Sequence, residues 1–111
     1  YGVKGLIVQK YINNDLGLTK LEVSLYRMPD SVKAKKVYDL LGYNLNQIIY
    51  LSEDGYEGRI DTSLLFSYML DLRKGRYYVR IIIDDKRPEA IETIKKFGDL
   101  VAHKIKPQEV L

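Results

Sequence analysis

Asp84-Asp85-Lys86 has the strongest claim to covalent chemistry in this 111-residue sequence. An acidic-x-Lys triplet at a strand end can hold Mg²⁺ through its carboxylates while the lysine positions or activates a water. That is the arrangement of metal-dependent phosphodiester hydrolysis, with Asp84 and Lys86 as the working pair. It needs a second aspartate from another strand, a part open to Asp61 or Asp71. The same triplet ahead of Arg87-Pro88 also reads as a strand-to-helix loop with a helix cap, the commoner meaning of so short a match. The rest of the chain offers catalysis little. There is no cysteine and only one histidine, His103, so neither a thiolate site nor a histidine-based zinc site is expected. No Gly-x-Ser-x-Gly elbow, phosphate-cradling glycine loop or dinucleotide fingerprint occurs. No catalytic residue, metal ligand or cofactor is therefore assigned.

Binding has more to work with. Alternation along the expected strands sets Lys20, Tyr26, Tyr50, Tyr78 and Arg80 on one sheet face, with Arg76 at the start of one strand. Aromatic rings with basic neighbours can stack single-stranded bases and hold their phosphates, so RNA or single-stranded DNA is a possible partner. The commoner use of such tyrosines is packing, in a dimer interface or over a sheet surface. Lys74-Gly75-Arg76-Tyr77-Tyr78-Val79-Arg80-Ile81 is similar in part to the first ribonucleoprotein motif of RNA-recognition domains. It shares the basic-Gly start and the aromatic-Val pair Tyr78-Val79. It departs at Arg76, Tyr77 and Ile81, and Leu21-Glu22-Val23 lacks the companion motif's aromatic, so no membership is assigned.

Eighteen basic residues against fifteen acidic ones give a net charge of +3, so any polyanion site must come from clustering rather than totals. The length fits one domain, residues 1–111, able to bury a core without staples. Absence of cysteine fits a cytoplasmic setting. No apolar run approaches the roughly 20 residues of a membrane helix, and the first residues do not form a signal peptide. The wealth of Ile, Lys, Glu and Tyr resembles the usage of thermophilic archaea and their viruses.

These residues need elements to position them. Leu6–Ile12 and Thr19–Met28 flank the turn cluster Asn13-Asn14-Asp15-Leu16-Gly17 and predict a β-hairpin. Asp30 or Ser31 caps a helix with an apolar stripe of Ala34, Val37, Tyr38 and Leu41, closed by Gly42, whose place asks for a left-handed residue. Gln47–Ser52 reads as a strand and Tyr56–Ile60 as its return across Asp54-Gly55. Residues 62–74 carry both helical spacing and alternation. Their caps favour a helix, whereas alternation would turn a hairpin at Lys74-Gly75 into Tyr77. Tyr77–Ile83 has the β-branched run of a central strand. A helix from Pro88 to Gly98 and a last strand, Leu100–Ile105, follow.

In order this spells an α+β, ferredoxin-like βαββαβ sheet with an extra N-terminal strand and an insertion at about 54–75. Both helices would cover one face and leave the other open, and the last strand would join by a crossover onto a parallel neighbour. Leu21, Val23, Leu25, Ala34, Val37, Leu41, Val79, Ile81, Ile91 and Ile94 would share one core. The function expected is that of a small non-enzymatic intracellular binding protein, self-associating as a homodimer and using the open Tyr/Arg face toward protein or nucleic acid. The alternatives are the Asp84/Lys86 nuclease and a structural subunit of a ribonucleoprotein particle or virion. No membrane and no small-molecule cofactor is implied.

Overall fold

A computed structural model describes residues 4–14, 17–43, 45, 47–53 and 55–105. Six strands and two helices follow in the order β1 (Lys4–Asn14), β2 (Gly17–Arg27), α1 (Ser31–Leu41), β3 (Ile48–Glu53), β4 (Tyr56–Asp61), β5 (Tyr68–Lys74), β6 (Tyr77–Ile83) and α2 (Glu89–Lys104). The strands form one sheet in the order β1-β2-β6-β5-β4-β3, and every pair is antiparallel. After the first hairpin, α1 carries the chain to the far edge. A meander of four strands then returns until β6 docks on β2.

The class is α+β, with an antiparallel sheet and two helices. The ferredoxin-like order is not what forms. Its last strand, 100–105, is the end of α2, and β6 has two antiparallel neighbours rather than a parallel one. Gly98 was the misleading residue. Ala90, Ile94, Gly98 and Ala102 are buried at every fourth position, a helical stripe that runs straight through the glycine. Gly98 lets the helix lie close on the sheet, since a Cβ there would stand 3.0 Å from Leu70. The expected insertion is two regular strands, β4 and the first part of a β5–β6 hairpin, so 62–74 is loop then strand and not helix. Gly75 takes φ of +58° at the first position of the two-residue turn joining β5 to β6, the place a type II′ hairpin reserves for glycine.

The helices lie on opposite faces. Against α2 pack Leu21, Ile60, Leu70, Leu72, Val79, Ile81 and Ile83, all buried, with Val23 and Leu25 half-covered beside them. Against α1 pack Met28, Tyr78 and part of Tyr26, meeting Ala34, Tyr38 and Val37. The single expected core is thus two, and Leu41 belongs to neither, being exposed. Alternation divides a strand into two faces but does not say how many of them a helix covers. Asp30 caps α1 as expected, its side chain accepting from the Lys33 amide at 2.8 Å. Gly42 closes it for a different reason than a left-handed bend. Its φ is −94°, and a Cβ there would meet the Arg59 guanidinium at 2.5 Å.

Candidate functional site

The register places the predicted residues on the face that was expected, but α1 covers much of it. Tyr26 stands opposite Tyr78 and Ser24 opposite Arg80 on the β2–β6 pair, and Tyr50 opposite Arg59 on β3–β4. Tyr78 is only 3% exposed, and Tyr26 stacks on it with ring centroids 5.8 Å apart. Its hydroxyl donates to Asp71 at 2.8 Å. Arg80 is half-buried, and Nε and Nη2 both donate to the Asp71 carboxylate, at 2.9 and 3.2 Å. Arg76 leaves the face altogether: from the β5–β6 turn it clamps the corner before α1, donating to the Met28 and Pro29 carbonyls at 2.9 and 2.8 Å. Lys20 lies half-buried at the uncovered end, in a shallow cleft with Glu22, Ile82 and Asp84. Of the set, Tyr50 alone is open, at 75%.

Asp71, at 2% exposed, is the centre that sequence reasoning passed over. Besides Tyr78 and Arg80 it accepts from Arg59 Nη2 at 3.2 Å, and the Arg59 guanidinium stacks on the Tyr38 ring at 4.0 Å. Next to it Glu57 accepts from Arg73 and from Lys35 on α1, each at 2.9 Å. This is a polar clasp between α1 and the sheet. Burial, reinforced by the Asp71 carboxylate, holds the Tyr78 hydroxyl well above its ordinary range, and burial raises Tyr38 against the opposing pull of Arg59. Burial pushes Glu57 up, but its bonds to Lys35 and Arg73 outweigh this and leave its carboxyl below the ordinary 4.5. The signal for the clasp was present: Asp71 and Arg80 lie equally far from the Gly75-Arg76 turn, so choosing the hairpin reading would have paired them.

The hydrolytic candidates each have partners of their own. Asp84 accepts from the Ser67 hydroxyl at 3.2 Å, and Asp85 accepts from Arg87 at 2.7 Å. The Lys86 ammonium donates to the Thr62 carbonyl and lies 4.4 Å over the Tyr68 ring. Asp61 is buried and accepts from the amide and hydroxyl of Ser63, while Asp71 is held in the clasp. Among the described residues no three acidic or histidine side chains gather as a metal site would require. His103, expected on a strand, sits exposed in the last turn of α2 with Nδ1 2.7 Å from the Asp99 carbonyl oxygen.

What the surface does present is an edge strand with exposed apolar residues in the loop near its start. β3 is an edge strand, paired with β4 alone among the described residues, and reads Ile48-Ile49-Tyr50-Leu51 with no lysine, proline or positive charge. Such residues are the usual guards of an open edge, and the opposite edge, β1, carries Lys4 and Lys10. The β4–β5 loop lies beside the start of β3, since the Thr62 amide and hydroxyl both donate to the Gln47 carbonyl at 2.9 Å. Its tip exposes Leu65 and Phe66, at 81% and 79%, while Asp61–Ser63 and Ser67–Asp84 bonds pin both ends. Tyr43, leaving α1, is likewise exposed. Three apolar residues in a row (Leu64, Leu65, Phe66) were visible in the sequence, but the helical spacing of 62–74 took up only Leu65 and the alternation only Leu64 and Phe66.

Comparison with known proteins returned no matching family model, no matching curated protein and no matching solved structure.

Proposed function

We propose that this chain is a small non-enzymatic binding protein whose working surface is the β3 edge with the Leu65-Phe66 loop beside it, and whose ligand is a protein strand. The unguarded edge carries the reading. A row of unpaired amides and carbonyls, flanked by exposed apolar side chains, is the template for strand addition. Lysine or proline would have blunted it, and β3 contains neither. The Tyr/Arg face serves this reading only through Tyr50. Stacking bases on Tyr78 would require α1 to lift, and Arg80 is spent on Asp71. Lys86, bonded to the Thr62 carbonyl, supports the neighbouring loop, which fits a binding role better than a hydrolytic one.

A labelled peptide of the Gln47–Glu53 sequence tests the edge directly. With the chain at nanomolar concentration, where a weak self-contact comes apart, the peptide should bind saturably by fluorescence anisotropy. Tyr50→Lys, which adds the charge an open edge lacks, should abolish that binding while leaving the circular dichroism unchanged. Binding that survives Tyr50→Lys places the ligand elsewhere and sinks the reading.

A further inference from the structure

The strand that fits this edge is the edge itself. We infer that the occupant is a second copy of this chain, joined β3 to β3 in antiparallel register about a twofold axis through Tyr50. The inference rests on β3 being the working surface and adds the identity and register of the partner. A twofold perpendicular to a sheet keeps like faces together, so a strand can meet its own copy only with a residue facing itself or with residues equally spaced about that one. Centred on Tyr50, Ile49 falls opposite Leu51 and Ile48 opposite Ser52. Glu53, the only charged residue of β3, falls opposite Gln47, so no like charges meet. Centring on Leu51 instead would set Glu53 against Ile49, and centring on Ile49 would carry Leu51 onto Gln47. Tyr50 is also exposed, and facing copies of its ring can pack across the axis.

The result is one continuous sheet built from two six-stranded halves. Both copies of α1 lie on one face and both of α2 on the other. The alternative partner edge, β1, would make a head-to-tail contact that does not close and would run on into fibres. Strand pairing alone is short of the roughly 800 Å² per partner of a stable interface. The Thr62–Gln47 bonds hold the start of the β4–β5 loop by the start of β3, the end that the twofold sets against the close of β3 in the other copy.

The absence of cysteine makes the register testable by oxidation. Directly opposite residues have Cβ atoms about 4.5–5.5 Å apart, within a small shift of disulfide geometry. Tyr50→Cys should therefore oxidise to a covalent dimer. Leu51→Cys alone should not, whereas a mixture of Ile49→Cys and Leu51→Cys chains should give the mixed dimer. By analytical ultracentrifugation the unmodified chain should sediment at twice its 12.9 kDa, and Tyr50→Lys should weaken the dimer at least tenfold. A dimer that cross-links through Leu51→Cys alone overturns the register. A chain that stays monomeric at millimolar concentration overturns the self-contact. If that monomer still binds the Gln47–Glu53 peptide, the edge reading survives without this partner, and if it does not, both fall.

Discussion

Asp71 shows how one buried carboxylate can tie three strands together beneath a helix. Its carboxylate takes bonds from Tyr78, Arg80 and Arg59, so both oxygens are satisfied and two guanidinium charges are offset. Removing it would strand those charges, one of them on a side chain only 5% exposed. Breaking a buried pair by deleting one partner costs about 3–5 kcal/mol, so Asp71→Ala should lose about that much in urea unfolding. Tyr78→Phe removes a single bond and should cost about 1 kcal/mol. A pH effect goes with it. Tyr78 and Tyr38 ionise less readily folded than unfolded, where the hydroxyl titrates near its ordinary 10.0. The stability they contribute is therefore complete below pH 10 and is lost as the pH rises above it. Alkaline unfolding should begin above pH 10, with a step in tyrosinate absorbance that coincides with the loss of structure, and Tyr78→Phe should reduce that step. An absorbance step well before unfolding would mean that these two rings are not sealed by α1. The pairing of Asp71 with Arg80 was within reach of the sequence, because a hairpin fixes its partners by counting outward from the turn. The pairing of Asp71 with Arg59 was not, because it depends on which strand returns beside β5.

At the scale of elements, α1 and most of the strands were legible, whereas the end of α2 and the 62–74 stretch were not. β1–β2, β3–β4 and β6 follow from alternation and turn residues, and α1 follows from its cap and stripe. α2 was cut short because glycine is taken as a helix stop, whereas at position 98 it serves close approach. Gly98→Ala and Gly98→Leu separate the two roles. Alanine gains about 1 kcal/mol of helix propensity and meets Leu70 at 3.0 Å, so the two effects should nearly cancel. Leucine cannot fit without moving the helix and should cost about 1–3 kcal/mol, read as a lower urea midpoint at unchanged slope. A stabilising Gly98→Leu would show that α2 does not bear on the sheet there. The 62–74 stretch failed for a different reason. Its tip holds Leu64, Leu65 and Phe66 in the open, and any reading that assumes apolar residues are buried must assign them to a regular element.

Across the whole molecule, charge decides how much of a polyanion binder this chain can be. The net charge of +3 is small, and Lys35, Arg59, Arg73, Arg80 and Arg87 are each in contact with a carboxylate. Arg76 and Lys86 donate to backbone carbonyls instead. The field left over to gather phosphates is weak, and no ring of the Tyr26–Tyr78 stack stands free for a base. Labelled single-stranded oligonucleotide should therefore bind no more tightly than about 10⁻⁴–10⁻⁶ M near physiological salt, the range of non-specific contact. The slope of log affinity against log salt should correspond to only one or two phosphates, on the order of −0.7 for each in a single strand. Tyr50→Lys sharpens the comparison, because the same change acts in opposite directions on the two candidate partners. It adds a cation at an exposed ring, so nucleic-acid affinity should hold or rise slightly, while the β3 peptide is lost. If oligonucleotide binding instead proved submicromolar, steeply salt-dependent and weakened by Tyr50→Lys, the ring would be stacking bases and the strand-binding edge would give way to a nucleic-acid surface.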